Sequence, residues 1–142
     1  MNMGSLGVHP YFNLEPNEAA NLLDGLVSVN MSQISKAGGF SGSPRFPVLS
    51  GIQQGTVRYR RYDPREHWQS WRELTDQLSK TGHAYGDCED LSAAVAAELL
   101  ASGISARTYV YKSGPKLYHV VVKTDRWGLM DPSRAAGMEG NG

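Results

Sequence analysis

The sequence predicts an α+β domain in which the helix that carries the only cysteine packs on a small antiparallel sheet. An alanine-rich amphipathic segment that begins near Cys88 predicts this helix. Strand-like runs follow at about residues 105–112, 116–124 and 127–131, with only Ser113-Gly114-Pro115 and Asp125-Arg126 between them. Because strands joined by short turns pair antiparallel, the three runs predict the sheet.

The bulk composition is typical of one soluble globular domain without a general electrostatic preference for a partner. At 142 residues the chain can bury a real core, and 40% of its residues are hydrophobic while 20% are charged. Fourteen basic and fourteen acidic side chains leave no formal net charge. We therefore expect neither nucleic acid nor a membrane as a partner.

The cysteine count and the apolar segments indicate where the protein resides. A single cysteine excludes an intramolecular disulfide framework. The start, Met1-Asn2-Met3-Gly4, lacks the basic and apolar regions of a secretory signal. The longest apolar stretch, from Leu91 to Ile104, is too short to span a bilayer and contains Glu98. We expect a cytoplasmic protein, or a virion-associated one if a phage encodes it.

Residues 1–55 are predicted to form an N-terminal arm with one helix and a Gly/Ser/Pro-rich loop. The helix is expected from about Glu15 to Val29, with Asn13 or Asn17 as its cap. Its apolar face comprises Leu22, Leu23, Leu26 and Val27. The stretch from Lys36 to Gln54 is predicted to be either an ordered surface loop or a flexible linker.

Residues 56–142 are predicted to form the core of the domain. The run from Thr56 to Tyr62 is typical of a short strand, and Asp63-Pro64 is typical of a helix start. That helix is expected to continue to about Lys80 and to end at Thr81-Gly82. Its apolar stripe comprises Trp68, Trp71, Leu74 and Leu78, which we interpret as core.

The helix that begins near Cys88 has clear boundaries in the sequence. Asp87 is its predicted N-cap, and Ser102-Gly103 is its predicted end. The buried face is marked by Leu91, Val95 and Leu99, while four alanines allow close packing on a sheet.

The last two strands predict a contact between His119 and Asp131. If the turn is centred on Asp125-Arg126, two residues lie opposite each other when their numbers sum to about 250. His119 and Asp131 sum to 250. Directly opposed residues of an antiparallel pair share a face. A carboxylate there can fix the imidazole tautomer and leave the other ring nitrogen for a thiol.

Cys88 occupies a position that can activate a thiol. The first turn of a helix has unpaired N–H groups and a partial positive charge, which favour a thiolate and can contribute to an oxyanion hole. The neighbouring Glu89 and Asp90 oppose a thiolate. These two acids also suit a helix N-terminus for structural reasons alone.

The residues around Cys88 resemble the transglutaminase-like superfamily, whose members share a papain-like core. The resemblance covers about residues 64–134 and depends on the motif Gly86-Asp87-Cys88-Glu89-Asp90-Leu91, the strand with His119 and the strand that ends in Asp131-Pro132. It implies that Cys88 is the nucleophile, His119 the general base and acid, and Asp131 its orienting partner. Small stand-alone members occur in bacteria and their phages.

The resemblance also implies a second oxyanion donor from an upstream side chain. Five candidates fit, and the sequence does not choose among them: Trp68, Gln69, Trp71, Gln77 and Tyr85.

The expected chemistry is acyl transfer on amide bonds of a protein or peptide, without a cofactor. Hydrolysis is the first expectation, and protein cross-linking by transamidation is the alternative. A non-catalytic structural or virion-associated module stays open, with the N-terminal arm docking on a protein partner. A zinc site from His83 and Cys88 is disfavoured because the chain has no second cysteine.

Overall fold

The computed structural model describes residues 16–39, 46–61, 68–114 and 117–139. Within these ranges the chain is mixed α/β, in agreement with the predicted α+β class. The helices are α1 (Pro16–Lys36), α2 (Pro47–Gln54), α3 (Trp71–Thr81), α4 (Cys88–Ala101) and α5 (Pro132–Ala135). The strands are β1 (Val57–Tyr59), β2 (Ala84–Gly86), β3 (Ala106–Gly114), β4 (Leu117–Thr124) and β5 (Gly128–Met130).

The described strands form two small sheets. β3, β4 and β5 form an antiparallel sheet in that order, as the sequence predicts. β1 and β2 form a parallel pair, and β2 was not among the predicted elements. β2 is only three residues long and directly precedes the cap of α4, so it leaves little periodic signal.

Helix α4 lies at the centre of the core. Leu91, Val95 and Leu99 are fully buried, which confirms the predicted face. Burial extends all round the helix, because every residue from 89 to 99 is buried. The small alanine side chains let neighbouring elements approach closely on the other faces. The predicted N-cap Asp87 is also confirmed.

The N-terminal part contains more helix than the sequence predicts. α1 continues seven residues past Val29 to Lys36, and its predicted apolar face is largely buried. Asn17 lies inside α1, so it is not the cap, and Asn13 lies outside the described residues.

The predicted loop from Lys36 to Gln54 is wrong at its end, where α2 forms. Glu98 of α4 accepts the backbone N–H groups of the first turn of α2, a stabilisation that no local pattern reveals.

The helix predicted from Asp63 to Lys80 begins later than expected. Residues 68–70 are not helical, and Ser70 caps α3 through a capping box with Glu73. The predicted cap at Asp63 lies outside the described residues. The predicted end is confirmed, because Gly82 adopts the left-handed conformation that closes α3.

The turn between β4 and β5 is one residue longer than predicted. It spans residues 125–127, and Gly128 follows it with φ +72°. The Oγ1 atom of Thr124 accepts the Trp127 N–H at 2.8 Å and donates to the Gly128 carbonyl at 3.1 Å. Numbers of paired residues consequently sum to 252, as for Val122 and Met130, so the predicted sum of 250 is wrong.

Side chains from both sides of residue 55 share one core. Leu23, Ile34 and Val48 belong to the same buried cluster as Leu91 and Val120. The division into an arm of residues 1–55 and a core of residues 56–142 stays a prediction. Among the helices of the described ranges, none is long and apolar enough to cross a membrane.

Candidate functional site

His119 and Asp131 form a hydrogen-bonded pair at the end of the antiparallel sheet. The Nε2 atom of His119 lies 2.9 Å from Oδ2 of Asp131. The two residues are diagonal rather than directly opposite, because the register differs by two from the predicted one. A shift of two keeps side-chain parity, so both residues stay on one face and their side chains still meet.

Asp131 is held in place by the short helix that follows it. It is the N-cap of α5, and its Oδ1 atom accepts the Arg134 backbone N–H at 3.2 Å. The Arg134 Nε atom lies 3.4 Å from Oδ2. Pro132 at the first helical position fixes the entry of this turn. The carboxylate that orients His119 is therefore positioned by its own capping role.

The second ring nitrogen of His119 is buried and unpaired. His119 is 2% exposed, and Nδ1 has no hydrogen-bond partner within the described ranges. When Nε2–H donates to Asp131, the neutral ring leaves Nδ1 as an acceptor. An orphaned buried acceptor is uncommon and suits a nitrogen that takes a proton during a reaction.

The Cys88 sulfur lies beside the strand that carries His119. The backbone N–H of Val120, the residue after His119, lies close enough to this sulfur to favour its charged form. One helical turn later, the Ser92 hydroxyl donates to the Val120 carbonyl at 3.1 Å. Two residues of α4 thus contact a single peptide segment of β4. The thiol itself is directed to Glu89 Oε2 at 3.4 Å, and no hydrogen bond joins Cys88 to His119 in the described structure.

The surroundings of Cys88 keep the sulfur protonated. Burial raises the pKa of the Cys88 thiol well above its usual range, and the charges of Glu89 and Asp87 raise it further. The Val120 N–H opposes this rise. The thiolate that the helix start predicts is therefore not the resting form.

Glu89 joins the thiol to a phenol. Its Oε1 atom accepts the Tyr118 hydroxyl at 3.1 Å, while Oε2 faces the Cys88 thiol. Burial raises the pKa of the Glu89 carboxyl well above its usual range, and Asp87 adds to the effect. Sequence reasoning missed Tyr118. The sequence does contain a signal for Tyr118, because side chains alternate between the two faces of a strand. Tyr118, like Val120, lies on the face of β4 opposite to that of His119.

The other two acids of the motif have structural roles. Asp87 and Asp90 form a reciprocal capping box, in which each carboxylate accepts the backbone N–H of the other residue. Asp90 Oδ1 also accepts the Gln69 backbone N–H at 2.7 Å. Asp90 therefore ties the start of α4 to the segment before α3, which accounts for its place in the motif without chemistry.

Most of the predicted oxyanion donors are occupied elsewhere. The Gln69 amide donates to the Tyr85 carbonyl at 2.8 Å and to Asp90 Oδ2 at 3.1 Å. The Gln77 amide donates to Gln69 Oε1. The Trp71 indole donates to Glu98 Oε2 at 2.9 Å.

The remaining two candidates, Tyr85 and Trp68, differ in their surroundings. The Tyr85 ring lies under the Arg60 guanidinium, 4.0 Å from ring centroid to Cζ. The indole N–H of the buried Trp68 has no partner within the described ranges, so Trp68 stays a candidate donor.

Neither a metal cluster nor the large cavity marks this site. Within the described residues, no group of three or more His, Cys, Asp and Glu side chains could hold a metal ion. An open cavity of about 880 Å³ lies between α1, α2 and α3. Lys36, Arg72 and Asp76 belong to its lining, whereas the three candidate residues do not.

Comparisons with protein-family models, with curated proteins and with solved structures found no match for this chain.

Proposed function

We propose that the protein catalyses acyl transfer on amide bonds through a thioester on Cys88, as a transglutaminase-like enzyme. The observation that carries the proposal is the His119–Asp131 pair, whose second ring nitrogen is buried and has no partner within the described ranges, on the strand against which the helix of Cys88 packs. The order of cysteine, histidine and aspartate in the sequence supports the same roles.

The reaction has two halves with a balanced proton transfer. The Cys88 sulfur attacks the amide carbon while Nδ1 of His119 takes the thiol proton, and the carbon–nitrogen bond then breaks as His119 protonates the leaving amine. In hydrolysis, His119 takes a proton from water, the hydroxyl adds to the thioester, and the released thiolate recovers the proton. Asp131 stabilises the imidazolium in both halves.

The raised pKa of Cys88 determines when the proton moves. A standing thiolate–imidazolium pair is disfavoured, because burial and two carboxylates oppose the charged sulfur. The proton therefore leaves the sulfur during the attack, with His119 as general base. The Cys88 thiol must also leave Glu89, and the two side chains must approach each other across β4, because His119 lies on the face opposite to the one that packs on α4.

Hydrolysis is the first choice of outcome, in keeping with small stand-alone bacterial and phage relatives that are often assigned as proteases. An amine in place of water would make the same triad a cross-linking transglutaminase. Protein or peptide is the substrate in both cases.

A non-catalytic module is the second candidate, and one observation favours it. The Cys88 thiol is bonded to the buried Glu89 carboxyl, and burial raises the pKa of the thiol. Such a cysteine can serve as an inert packed residue of a structural or virion-associated domain.

Acylation of Cys88 tests the proposal directly. The protein is incubated with an activated acyl ester, and the adduct on Cys88 is measured by mass spectrometry over time. His119→Ala should slow acylation by roughly 100-fold or more, the usual contribution of a general base. His83→Ala, which removes an exposed histidine, is the matched control and should leave the rate unchanged.

The rate of the His119→Ala variant decides between enzyme and module. Equal acylation rates in wild type and His119→Ala, or no acylation of the wild type, would overturn the catalytic proposal. Incubation with casein and a fluorescent amine then separates the two enzymatic outcomes, because hydrolysis fragments casein whereas transamidation labels it.

A further inference from the structure

The antiparallel sheet has one face that points away from the core cluster and is partly exposed, although His119 and Val121 of this face are buried. Ala106, Val120 and Val122 point into the core cluster, so the alternate residues of β3, β4 and β5 point the other way. Large apolar side chains are exposed there: Tyr109 (37%), Tyr111 (39%) and Leu129 (63%), with Trp127 (53%) in the adjoining turn. We call this surface the outer face and define it by these four residues with Arg107 and Lys123.

The outer face reaches the candidate site. The Tyr111 ring meets the His119 ring edge to face, with centroids 5.7 Å apart. Asp131 comes two residues after Leu129 and therefore continues the same face. A chain that lies on Tyr109 and Tyr111 consequently passes beside the His119–Asp131 pair.

The charged side chains that the strands contribute to this face are basic, while Asp125 lies in the adjoining turn with Trp127. Arg107 and Lys123 are these basic side chains, and the three strands contain no aspartate or glutamate. The Lys123 ammonium lies 3.8 Å from the Tyr109 ring centroid. Asp131, the nearest carboxylate along β5, is already engaged by His119 and Arg134. An incoming carboxylate therefore meets cations without competition from acids of the strands.

Exposed aromatic side chains beside cations favour one class of ligand. Tyrosine and tryptophan supply broad apolar contact area with little loss of conformational entropy. An extended peptide presents alternate side chains to the surface that it lies on, so acidic and apolar groups can reach their partners in turn.

We propose that the outer face binds the substrate polypeptide beside the His119–Asp131 pair. It selects an extended segment in which every second residue faces the sheet and these residues place acidic side chains on both sides of an aromatic or large aliphatic one. The inference rests on the proposed function for the role of this segment as substrate. The preference for acidic peptides rests on the outer face alone.

Peptide binding to the full-length Cys88→Ala variant tests the inference without turnover. The probe is a fluorescein-labelled peptide with serine at every second position and with glutamate and phenylalanine alternating at the positions between, so that both kinds of side chain face the sheet; its comparison peptide has lysine in place of glutamate. Fluorescence anisotropy should show that the acidic peptide binds at least about tenfold more tightly, equal to about 1.4 kcal/mol. Reversal of Arg107 and Lys123 to glutamate should invert this preference.

A second charge reversal provides the matched control. Arg72→Glu with Lys80→Glu changes two exposed bases of α3 and should leave the preference intact. Equal affinities for the two peptides, no binding of either, or an unchanged preference after reversal on the outer face would overturn the inference. Acylation of Cys88 is measured in a separate experiment. If Cys88 is not acylated but the acidic peptide is still preferred, the proposed enzymatic function is wrong and the proposed binding surface stands.

Discussion

Two buried glutamates lie near opposite ends of helix α4, and the donors that they receive differ in kind. Glu98 accepts only N–H groups of other elements: the backbone of Val48 at 2.7 Å, the backbone of Leu49 at 3.0 Å and the indole of Trp71 at 2.9 Å. None of these donors titrates in the ordinary pH range. Glu98 therefore works as a fixed structural acceptor that joins α4 to α2 and α3.

Glu89 receives groups that can themselves lose a proton. Its partners are the Cys88 thiol at 3.4 Å and the Tyr118 phenol at 3.1 Å. Burial raises the pKa of all three groups above their usual ranges. The comparison teaches that equal burial does not give equal roles: Glu98 stabilises the fold, whereas Glu89 adds to the effect of burial in keeping the candidate nucleophile protonated.

The largest effect is expected from Glu98→Ala. The change leaves two backbone N–H groups and one indole N–H unpaired in the core, and each unpaired donor costs roughly 1–3 kcal/mol. We expect a loss of about 4 kcal/mol in the free energy of unfolding, measured by denaturant titration at slightly acidic pH.

Glu98→Gln is the control for this loss. The amide oxygen can replace Oε2, which accepts from Val48 and Trp71, whereas the amide NH2 group at the other position faces the Leu49 N–H, so these donors stay unpaired. The glutamine variant should therefore lose less stability than the alanine variant but should not match the wild type. Equal losses would show that the packed volume of Glu98 matters rather than its hydrogen bonds.

The pH dependence of stability should follow from the same residue. Burial raises the pKa of Glu98 from 4.5 to about 7, while the Val48, Leu49 and Trp71 donors oppose the rise. Between these values the folded state binds more protons than the unfolded state, so stability falls as pH rises from about 4.5 to about 7. The contribution of Glu98 to this fall is about 3 kcal/mol, from the linkage of roughly 1.4 kcal/mol per pKa unit.

Unfolding measured across this window in wild type and Glu98→Gln isolates the contribution. Glu89 and Asp90 also have raised pKa values and add slopes of the same sign, so the wild-type curve alone is not diagnostic. The glutamine variant should have a shallower slope. Parallel curves would mean that Glu98 does not titrate in this window.

Glu89→Gln should leave unchanged the contribution of Glu98 to the pH dependence of stability. Its expected effect is on the pKa of the Cys88 thiol. Removal of a negative neighbour lowers the pKa of Cys88, because a thiolate there no longer faces a carboxylate. We expect about tenfold faster iodoacetamide labelling at mildly alkaline pH, because a larger fraction of the thiol is then ionised. The control is Glu98→Gln, whose labelling profile should match the wild type.

The capping signals of α4 and the strand parity could be predicted from the sequence because both are local. Asp87 followed by Asp90 at the third helical position encodes the capping box within four residues. The predicted contact between His119 and Asp131 forms although the predicted register differs by two from the observed one, because every even shift keeps the two residues on one face.

Helix α2 and the resting state of Cys88 could not be predicted, because both depend on contacts between distant residues. The acceptor for the first turn of α2 is Glu98, about 50 positions along the chain from Val48. Gly51 weakens the local helix signal, yet a Cβ at this position would lie only 2.5 Å from Val57 Cγ2. Likewise, Tyr118 reaches Glu89 only once α4 has packed on β4.

The smallest effect is expected from Ser92→Ala, which probes the attachment of α4 to β4. The Ser92 hydroxyl is buried and donates to the Val120 carbonyl at 3.1 Å, one turn after Cys88. Its loss leaves that carbonyl without this donor and should cost about 1 kcal/mol, measured by denaturant titration. Glu89 keeps its contacts, so the labelling profile of Cys88 should not change, in contrast to Glu89→Gln. A shifted labelling profile with unchanged stability would reverse the assignment, because the Val120 segment rather than Glu89 would then control the protonation of the thiol.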